Sequence, residues 1–382
     1  MGSVVERVLP AAVLRRPRSA YLEILGWWLC SRVLVFVCAL ILNLHLLGRR
    51  IGYFGAREMD HFLGLLGAWD GRWYAQVAAH GYLLVPGRQS DPAFFPLLPV
   101  LMRIGNTLGV GFLFSGVVLS NLAFPVALLA LYRLGTQLLP EPTARRAAIY
   151  AALFPMGFVF SMAYPQSVAL LGIALASLLA ARGSFVSAAF VAAAATLGRP
   201  EALFVAVPLA AIAVRAWPDL STTARGRAVA AVAAAPVALL AYPLYLRWAL
   251  HDAQAWSKAQ TAWGRSFGVK GVVHAVHRLP AQFQLNPWIA RDVVALLLYG
   301  ALFFAAARAG VPRAWLASGA LVLLVPLMSG SVLSEARFGL LALPLYWGMA
   351  VLGTTVARDR AITAGSLALL AAGTLTLPYA FP

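Results

Sequence analysis

The chain has 382 residues, of which 62% are hydrophobic and only 11% are charged. With a mean hydropathy of +0.80, it has too little polar surface to enclose a water-soluble globule, so the composition indicates a polytopic membrane protein. The formal net charge of +17 comes mostly from arginines that are distributed among many loops. This pattern indicates membrane topology and contact with anionic lipids, and it gives little support to nucleic-acid binding.

Apolar segments follow one another along most of the chain, and about 20 apolar residues are enough to cross a bilayer. The eleven segments cover residues 22–48, 110–133, 147–163, 165–182, 184–198, 202–217, 228–250, 290–308, 314–330, 338–356 and 361–381. Pro155 and Pro165 flank the junction of the third and fourth segments, where a broken or re-entrant helix is expected. We therefore predict an all-α fold with about 11 transmembrane helices in a single domain, 1–382.

Basic residues orient these segments, because short cytoplasmic loops of membrane proteins are rich in Lys and Arg. With the amino terminus inside, the predicted inner segments carry Arg7, Arg15, Arg16, Arg18, Arg133, Arg145, Arg146, Arg182, Arg215, Arg225, Arg227, Arg308, Arg313, Arg358 and Arg360. Arg49, Arg50 and Arg57 are exceptions. The outer face then has two large loops, 49–109 and 251–289, and short turns at 164–166, 198–201 and 334–337. The unusual polar residues thus converge on one face, where charges at the membrane edge often mark a substrate path.

The first outer loop contains a predicted helix in which aromatic rings surround one acid. Residues 68–79 are good helix formers, and Trp69 and Trp73 lie on a stripe that suits the lipid headgroup layer. Asp70 is on the flank of that stripe, in a chain with only 13 acidic residues. We predict that Asp70 is a catalytic base, the alternative being an ordinary aromatic belt with a solvated aspartate. Residues 93–104 are expected to form a second interfacial helix.

Other polar residues of the outer face have two interpretations each. His80 either contacts a donor phosphate or is a structural histidine near the headgroups, and Asp91 is either a second acid of the site or a cap before Pro92. Arg199 and Glu201 either serve a substrate or pair with each other at a helix end. The loop 251–289 either binds an acceptor or, in the simpler interpretation, forms a solvated interfacial helix. Its candidate residues are Trp256, Lys258, Trp263, Arg265 and Lys270.

Four groups of residues, taken in chain order, carry a resemblance to a known family. They are Trp69-Asp70 with Ala79-His80-Gly81-Tyr82 and Ala93-Phe94-Phe95-Pro96, then Leu153-Phe154-Pro155 with Ser161-Met162-Ala163-Tyr164, then Gly198-Arg199-Pro200-Glu201, and finally Arg337-Phe338-Gly339 with Pro344-Leu345-Tyr346-Trp347. In this order they resemble the PIG-V family, the enzymes that add the second mannose to glycosylphosphatidylinositol, together with its bacterial relatives.

The resemblance implies a GT-C-type glycosyltransferase of the cell membrane, a multi-pass enzyme whose active site faces the extracytoplasmic side. Such an enzyme takes mannose from polyprenyl-phosphate-mannose, and Asp70 matches the essential first-loop acid of the family. The chain departs from the family at position 166, where an amide replaces the usual carboxylate, although an amide still hydrogen-bonds a sugar hydroxyl. The candidate substrate-binding residues are Trp69, Trp73, His80, Asp91, Tyr164, Gln166, Arg199, Glu201 and Arg337.

The residue types also suit the chemistry of an inverting glycosyl transfer. A hydroxyl of a glycolipid, lipoglycan or protein acceptor would attack the anomeric carbon while the lipid phosphate leaves, and Asp70 would take the proton. Arg199 and Arg337 would hold the phosphate, because guanidinium pairs with phosphate bidentately. The leaving group carries less charge than a nucleotide diphosphate, and the chain lacks a dense carboxylate cluster, so no metal cofactor is expected.

Three other classes of protein were compatible with many apolar segments. A lipid-linked sugar flippase or transporter is expected to have internal repeats with broken helices at matched positions, and no such repeat is visible. A sugar-polymer ligase would depend on a large loop late in the chain, whereas here the most informative loop is the first. A structural scaffold would not need acids and arginines on one face. The sequence therefore favours the enzyme.

Overall fold

The structure, a computed structural model, describes residues 18–49, 62–380 and 382. Several sequence predictions fall outside these residues: the start of the loop 49–109, and the basic residues Arg7, Arg15, Arg16, Arg50 and Arg57. Within the described residues, every regular element is a helix. The predicted all-α fold is therefore confirmed for this part of the chain.

The first half of the described chain contains helices of very different lengths. They are α1 (Arg18–Leu46), α2 (Phe62–Leu66), α3 (Asp70–His80), α4 (Leu97–Thr107), α5 (Phe112–Gly135), α6 (Glu141–Leu153), α7 (Gln166–Ala181), α8 (Phe185–Gly198) and α9 (Ala206–Ala216). Short 3₁₀ turns cover Asp91–Ala93, Gly157–Ser161, Pro200–Val205 and Trp217–Asp219.

The second half begins with a long helix and continues with three short helices in the loop 251–289. The elements are α10 (Thr222–Leu250), α11 (Ala255–Ala262), α12 (Gly271–His277), α13 (Leu279–Leu285), α14 (Ile289–Arg308), α15 (Arg313–Leu327), α16 (Glu335–Phe338), α17 (Leu343–Leu352) and α18 (Val356–Leu375). One further 3₁₀ turn covers Gly339–Leu341.

Five helical stretches of the described chain are long and apolar enough to cross a membrane. They are Arg18–Leu46, Phe112–Gly135, Pro200–Asp219, Thr222–Leu250 and Ile289–Arg308. Four shorter apolar helices, of 10 to 17 residues, are α7, α8, α15 and α17. The polytopic membrane character is therefore confirmed, whereas the count of eleven spans stays a prediction, because several of the predicted segments form helices that are short or broken.

Close helix packing in the bundle depends on small residues, as is common where two membrane helices touch. A Cβ atom on Gly172 of α7 would lie 2.5 Å from the Cβ of Ala195 in α8. A Cβ atom on Gly348 of α17 would collide with the carbonyl oxygen of Leu302 in α14. These two pairs of helices can approach as closely as they do only because a side chain is missing at each contact.

The helix predicted to be broken near Pro155 is broken in the structure, and a buried arginine satisfies the freed backbone. Proline lacks an N–H group and ends the regular hydrogen bonding of α6. Arg32 of α1 donates to the carbonyl oxygens of Gly157 at 2.8 Å and Ala152 at 3.1 Å, and to Ser161 Oγ at 2.8 Å. Its side chain is almost fully buried. Arg32 was not identified from the sequence, because its partners lie more than 100 residues away.

We expect the Arg32→Ala variant to be strongly destabilised. The substitution leaves the carbonyls of Ala152 and Gly157 buried without donors, at a cost of about 1–3 kcal/mol each. Thermal unfolding of the detergent-solubilised protein measures the loss. The control is Arg133→Ala, because Arg133 lies nearer the surface and donates to the hydroxyl of Tyr21 at 2.9 Å. Equal unfolding temperatures for the two variants would contradict this role of Arg32.

The two predicted helices of the first loop are present, but the second begins later in the chain than predicted. Residues 68–79 were expected to be helical, and α3 begins at Asp70. The second helix begins at Leu97 rather than at residue 93, because Phe94 is extended (φ −107°, ψ 125°) and Pro96 disfavours helical conformation in the residue before it. This extended piece carries Phe94 and Phe95 to the site described next.

Candidate active site

One cavity lies where the first loop, the loop 251–289 and two of the predicted outer turns meet. Its empty volume is about 530 Å³, counting the open space at its mouth. The lining residues include two carboxylates, three guanidinium groups and several aromatic rings, and they are Asp70, Tyr74, Ala93, Phe94, Phe95, Arg199, Pro200, Glu201, Gln260, Trp263, Arg265, Arg337 and Phe338. Four residues predicted from distant positions in the sequence, namely Asp70, Arg199, Glu201 and Arg337, therefore share this cavity.

Asp70 is the first residue of α3, and its carboxylate is paired with Arg337. Asp70 Oδ2 accepts a hydrogen bond from Arg337 Nη1 at 2.5 Å. The backbone N–H of Asp70 donates to the hydroxyl of Tyr164 at 3.0 Å, and the Arg337 guanidinium lies 5.4 Å from the centre of the Tyr164 ring. The predicted residue Tyr164 thus fixes the start of α3 through this hydrogen bond, although it does not itself line the cavity.

Three arginines surround the ring of Phe338. The guanidinium carbons of Arg265, Arg199 and Arg337 lie 5.2, 5.3 and 5.6 Å from the centre of that ring. An aromatic face attracts cations, and here it offsets part of the repulsion between three like charges. The arginines come from the loop 251–289, from the turn before Pro200 and from α16, so a positively charged cluster forms only in the folded chain.

Two of these three arginines have carboxylate partners. Arg199 Nη2 donates to Glu201 Oε1 at 3.0 Å, as one interpretation of the sequence expected, and Arg337 is paired with Asp70. Among the described residues, no carboxylate forms an ion pair with Arg265. Burial, together with the charges of Arg337 and Arg199, lowers the pKa of Arg265 to about 10, so it stays a cation at neutral pH. The cluster has three cations and two ion-paired acids, which is an arrangement that attracts an anion.

The loop 251–289 reaches the cavity, contrary to the simpler interpretation of a solvated helix. The backbone N–H groups of Ser266 and Gly268 donate to the carbonyls of Ser329 and Met328 at 3.0 and 3.1 Å, which fixes this loop to the end of α15. These bonds hold Arg265 beside the cavity. The expectation of solvation does hold for Lys258, whose ammonium is exposed and pairs with Asp252. Hydrogen bonds to residues about 60 positions away, such as these, leave no local pattern in the sequence.

The aromatic residues of α3 contribute in different ways. Trp73 stacks on Phe94 with ring centres 5.7 Å apart and lies 5.5 Å from the Trp263 ring, so it supports two rings that line the cavity. Trp69 is buried, and its Nε1 donates to the carbonyl of Leu377 at 2.8 Å, which connects the first loop to the carboxyl-terminal residues. Tyr74, one helical turn after Asp70, lines the cavity. Tyr74 was not among the predicted site residues, although its spacing of four residues from Asp70 places both on one face of a helix.

Trp69 also has an unusual backbone conformation, with φ 55° and ψ −119°. A residue other than glycine in such a region costs about 1–3 kcal/mol and persists only where its surroundings hold it. The hydrogen bond from the Trp69 ring to the carbonyl of Leu377 helps to stabilise this conformation. The strained residue directly precedes Asp70, so the surrounding structure determines the direction in which α3 presents its first carboxylate.

Besides Trp69, Trp73 and Tyr164, three more of the nine predicted binding residues do not line the cavity. His80 is exposed at the last position of α3, about 15 Å along the helix from Asp70. Asp91 is buried, and its Oδ1 accepts from the backbone N–H of Leu83 at 2.6 Å, so it organises the first loop. Gln166 is buried at the start of α7, and among the described residues neither atom of its amide has a hydrogen-bond partner. Substrate contacts by these three residues stay predictions.

The buried carboxyl of Asp91 makes the stability of the protein depend on pH. Burial raises its pKa from the ordinary 3.8 to about 6. Between these values the folded chain keeps a proton that the unfolded chain has lost, so we expect stability to fall as the pH rises from about 4 to about 6. Thermal unfolding in detergent measures this slope. The Asp91→Asn variant should have a smaller slope, and an unchanged slope would contradict the assignment. The exposed Asp219→Asn variant is the control.

One more acid lies beside the cluster, in the predicted outer turn 334–337. Glu335 precedes Arg337 by two positions and is fully buried, and among the described residues neither oxygen of its carboxyl has a hydrogen-bond partner. Burial, and then the nearby Asp292, raise the pKa of Glu335 well above its usual range. Burial therefore favours the neutral form of the Glu335 carboxyl, whereas the nearby charge of Arg265 favours its charged form.

The solved structures that are similar to this chain include two crystal structures of one protein. The chain is similar to the oligosaccharyltransferase of Archaeoglobus fulgidus. A crystal structure of that protein tethered with an acceptor peptide aligns with 91% of this chain at 13% sequence identity and a TM-score of 0.43. A crystal structure of its complex with zinc and sulfate aligns with 90% at 14% identity and a TM-score of 0.39. The chain spans about half the length of these proteins, 55% and 52%.

Sequence comparisons and the positions of possible metal ligands add no family and no metal site among the described residues. No protein-family model and no curated protein matches the chain. Within 18–49 and 62–380, no three His, Cys, Asp or Glu side chains are grouped so that they could hold a metal ion. The expectation that the reaction needs no metal stays a prediction.

Proposed function

We propose that this protein is a membrane glycosyltransferase of the GT-C type that transfers mannose from polyprenyl-phosphate-mannose to a glycolipid, lipoglycan or protein acceptor. The reaction takes place at the extracytoplasmic side of the cell membrane. The observation that carries the proposal is the cavity in which one carboxylate, Asp70, lies beside three arginines around Phe338. The resemblance of the motifs to the PIG-V family supplies the sugar and the donor.

The arginine cluster is the proposed binding site for the donor phosphate. Guanidinium groups bind phosphate through paired hydrogen bonds and remain charged while doing so. Arg265 is the first contact, because no carboxylate pairs with it among the described residues. Arg199 is held by Glu201, and Arg337 is held by Asp70, so these two provide further contacts once the phosphate competes with their partners.

The transfer itself needs only groups that the cavity and the substrates provide. The acceptor hydroxyl oxygen forms a bond to the anomeric carbon, and the bond from that carbon to the phosphate oxygen breaks. The phosphate keeps the electron pair and leaves as polyprenyl phosphate, whose charge the arginines stabilise. The acceptor proton passes to Asp70. Attack opposite to the leaving group inverts the anomeric configuration. We propose that no metal cofactor is needed for this step.

The ion pair between Asp70 and Arg337 makes the base depend on the donor. A bound phosphate attracts Arg337 and competes with the Asp70 carboxylate for it, so donor binding frees that carboxylate to accept the proton of the acceptor hydroxyl. The aromatic side chains Tyr74, Phe94 and Trp263 line the same cavity and offer apolar surfaces for a sugar ring.

The proposal is tested with purified protein in lipid vesicles, labelled polyprenyl-phosphate-mannose and a lipid and glycan extract of the source cells as acceptor. We expect labelled mannose in a new product, release of polyprenyl phosphate, and unchanged transfer in the presence of a metal chelator. Movement of labelled donor across the vesicle membrane with no new glycosidic bond would instead identify a flippase. Loss of transfer with the chelator would contradict the proposal that no metal takes part.

A further inference from the structure

The residue Arg337 is carried by an element that cannot fix its own position. The helix α16 has only four residues, too few for stable internal hydrogen bonding. Its preceding residue, Ser334, has a left-handed backbone with φ 71°, which a residue other than glycine adopts only when its surroundings hold it there. The position of α16 must therefore come from a neighbouring element.

That neighbour is the first turn of α14. Asp292 has an exposed fraction of 0%, and both oxygens of its carboxylate bind the backbone of the segment that carries Arg337. Oδ2 accepts from the N–H of Ser334 at 3.1 Å, and Oδ1 accepts from the N–H of Ala336 at 3.0 Å. The charge of the carboxylate is partly balanced by Arg291, whose Nη2 lies 3.6 Å from Oδ2.

A second residue of α14 holds the same segment from the same side. Tyr299 follows Asp292 by seven positions, which is two turns of a helix, so both side chains lie on one face. Its hydroxyl donates to the carbonyl oxygen of Ala336 at 2.6 Å. The backbone N–H and C=O of Ala336, the residue before Arg337, are therefore both fixed by α14. A Cβ atom on Gly339 would collide with the Tyr299 ring, so the backbone at Gly339 packs directly against that ring.

We propose that Asp292 is a positioning residue for the donor phosphate site, with Tyr299 as its companion. It does not touch the substrate. It holds the left-handed turn at Ser334, and this turn directs Arg337 to Asp70 and to the phosphate. The inference rests on the proposed function, because it assigns to Asp292 an effect on the binding of the donor.

The variant Asp292→Asn tests this role with almost no change of shape. An amide has one oxygen and one NH₂ group, so one of the two backbone N–H groups would face a donor instead of an acceptor. Phe338 and Arg337 would then lose their fixed position. Tyr299→Phe is a milder second variant, because it removes one hydrogen bond and keeps the ring.

Asp359→Asn is the matched control for stability. Asp359 accepts a hydrogen bond from Tyr150 at 2.5 Å and pairs with Arg146 at 3.5 Å, and none of these residues lines the cavity. This control also loses a charge and its bonds, so it lowers stability without altering the donor site. A purely structural role of Asp292 would make the two variants alike.

The measurements are the dissociation constant for radiolabelled polyprenyl phosphate and the KM and kcat for the labelled mannosyl donor. For Asp292→Asn we expect about tenfold weaker binding and a KM raised by about the same factor, with a smaller change in kcat. Tyr299→Phe should raise the dissociation constant and the KM by a smaller factor. Asp359→Asn should leave the dissociation constant and the KM unchanged.

Two results separate this inference from the proposed function. If wild-type protein binds polyprenyl phosphate and transfers mannose while Asp292→Asn and Tyr299→Phe have unchanged KM and dissociation constants, the inference is overturned and the proposed function stands. If the wild-type protein neither binds polyprenyl phosphate nor transfers mannose, both are overturned. Should Asp292→Asn fail to fold, a normal KM in Tyr299→Phe is by itself the overturning result.

Discussion

The Asp70→Asn variant is expected to fold normally, to lose mannose transfer and yet to bind polyprenyl phosphate more tightly than the wild type. Loss of a general base typically lowers the rate by about 10²–10⁴-fold. The gain in binding has a separate cause: the amide carries no charge, so Arg337 is no longer held by an ion pair and is free to bind the phosphate. Removal of the negative charge also removes its repulsion of the phosphate.

This pair of opposite effects distinguishes a base from a structural aspartate. Transfer is measured with labelled donor at saturating concentration, and binding is measured with radiolabelled polyprenyl phosphate on the purified variant. Asp219→Asn, at an exposed position in a 3₁₀ turn, is the matched control and should change neither value. Near-normal transfer by Asp70→Asn would remove Asp70 from the mechanism, and weaker phosphate binding would contradict the competition for Arg337.

The Arg337→Ala variant is expected to have the second largest effect, mainly through the donor. It removes a cation that we propose contacts the leaving phosphate, and loss of one such contact typically costs about 10²–10³-fold in rate. It also leaves the carboxylate of Asp70 without its partner in a largely buried place, so the unfolding temperature should fall. Kinetics at varied donor concentration measure the first effect and thermal unfolding measures the second.

Arg337→Lys is the informative companion, because it keeps the charge and loses the planar fork of the guanidinium. We expect it to recover the unfolding temperature in large part, but to recover only part of the donor affinity. A lysine variant that is as defective as the alanine variant in stability would argue that hydrogen bonding rather than charge holds Asp70. Unchanged dependence on the donor in Arg337→Ala would show that this arginine is structural.

Several features of the site could be predicted because they follow from local patterns. Asp70 was predicted because it is a single acid beside Trp69 and Trp73 on a predicted interfacial helix. Rare charges at the ends of apolar segments led to Arg199, Glu201 and Arg337, and the positive-inside rule assigned them all to one face. The structure brings these four charged residues to one cavity.

What could not be predicted depends on contacts between distant parts of the chain. Arg32 caps carbonyls more than 100 residues away, and Asp292 binds backbone groups more than 40 residues away. Neither has a local signature, since an arginine or aspartate near a membrane segment has many possible partners. Arg265 was only one of several basic residues in its loop, and its place beside Phe338 depends on how that loop docks on α15.

Two candidates of the first loop, His80 and Asp91, lie away from the cavity for a common physical reason. His80 and Asp91 are close to Asp70 in sequence, but the 11 residues of α3 carry its last residue about 15 Å from its first. The chain then folds back, and the carboxylate of Asp91 binds the backbone of Leu83 instead of facing the cavity. Proximity in sequence therefore indicated a shared loop and did not indicate a shared site.

The most direct test of the account is the mass of the glycolipids, lipoglycans and glycoproteins from cells in which the gene is deleted. We expect one class of product to lack a single hexose, with polyprenyl-phosphate-mannose accumulating. The wild-type gene should restore the missing hexose, and the gene for Asp70→Asn should not, although its protein is present in the membrane. Identical product masses with and without the gene, or full restoration by Asp70→Asn, would contradict the account.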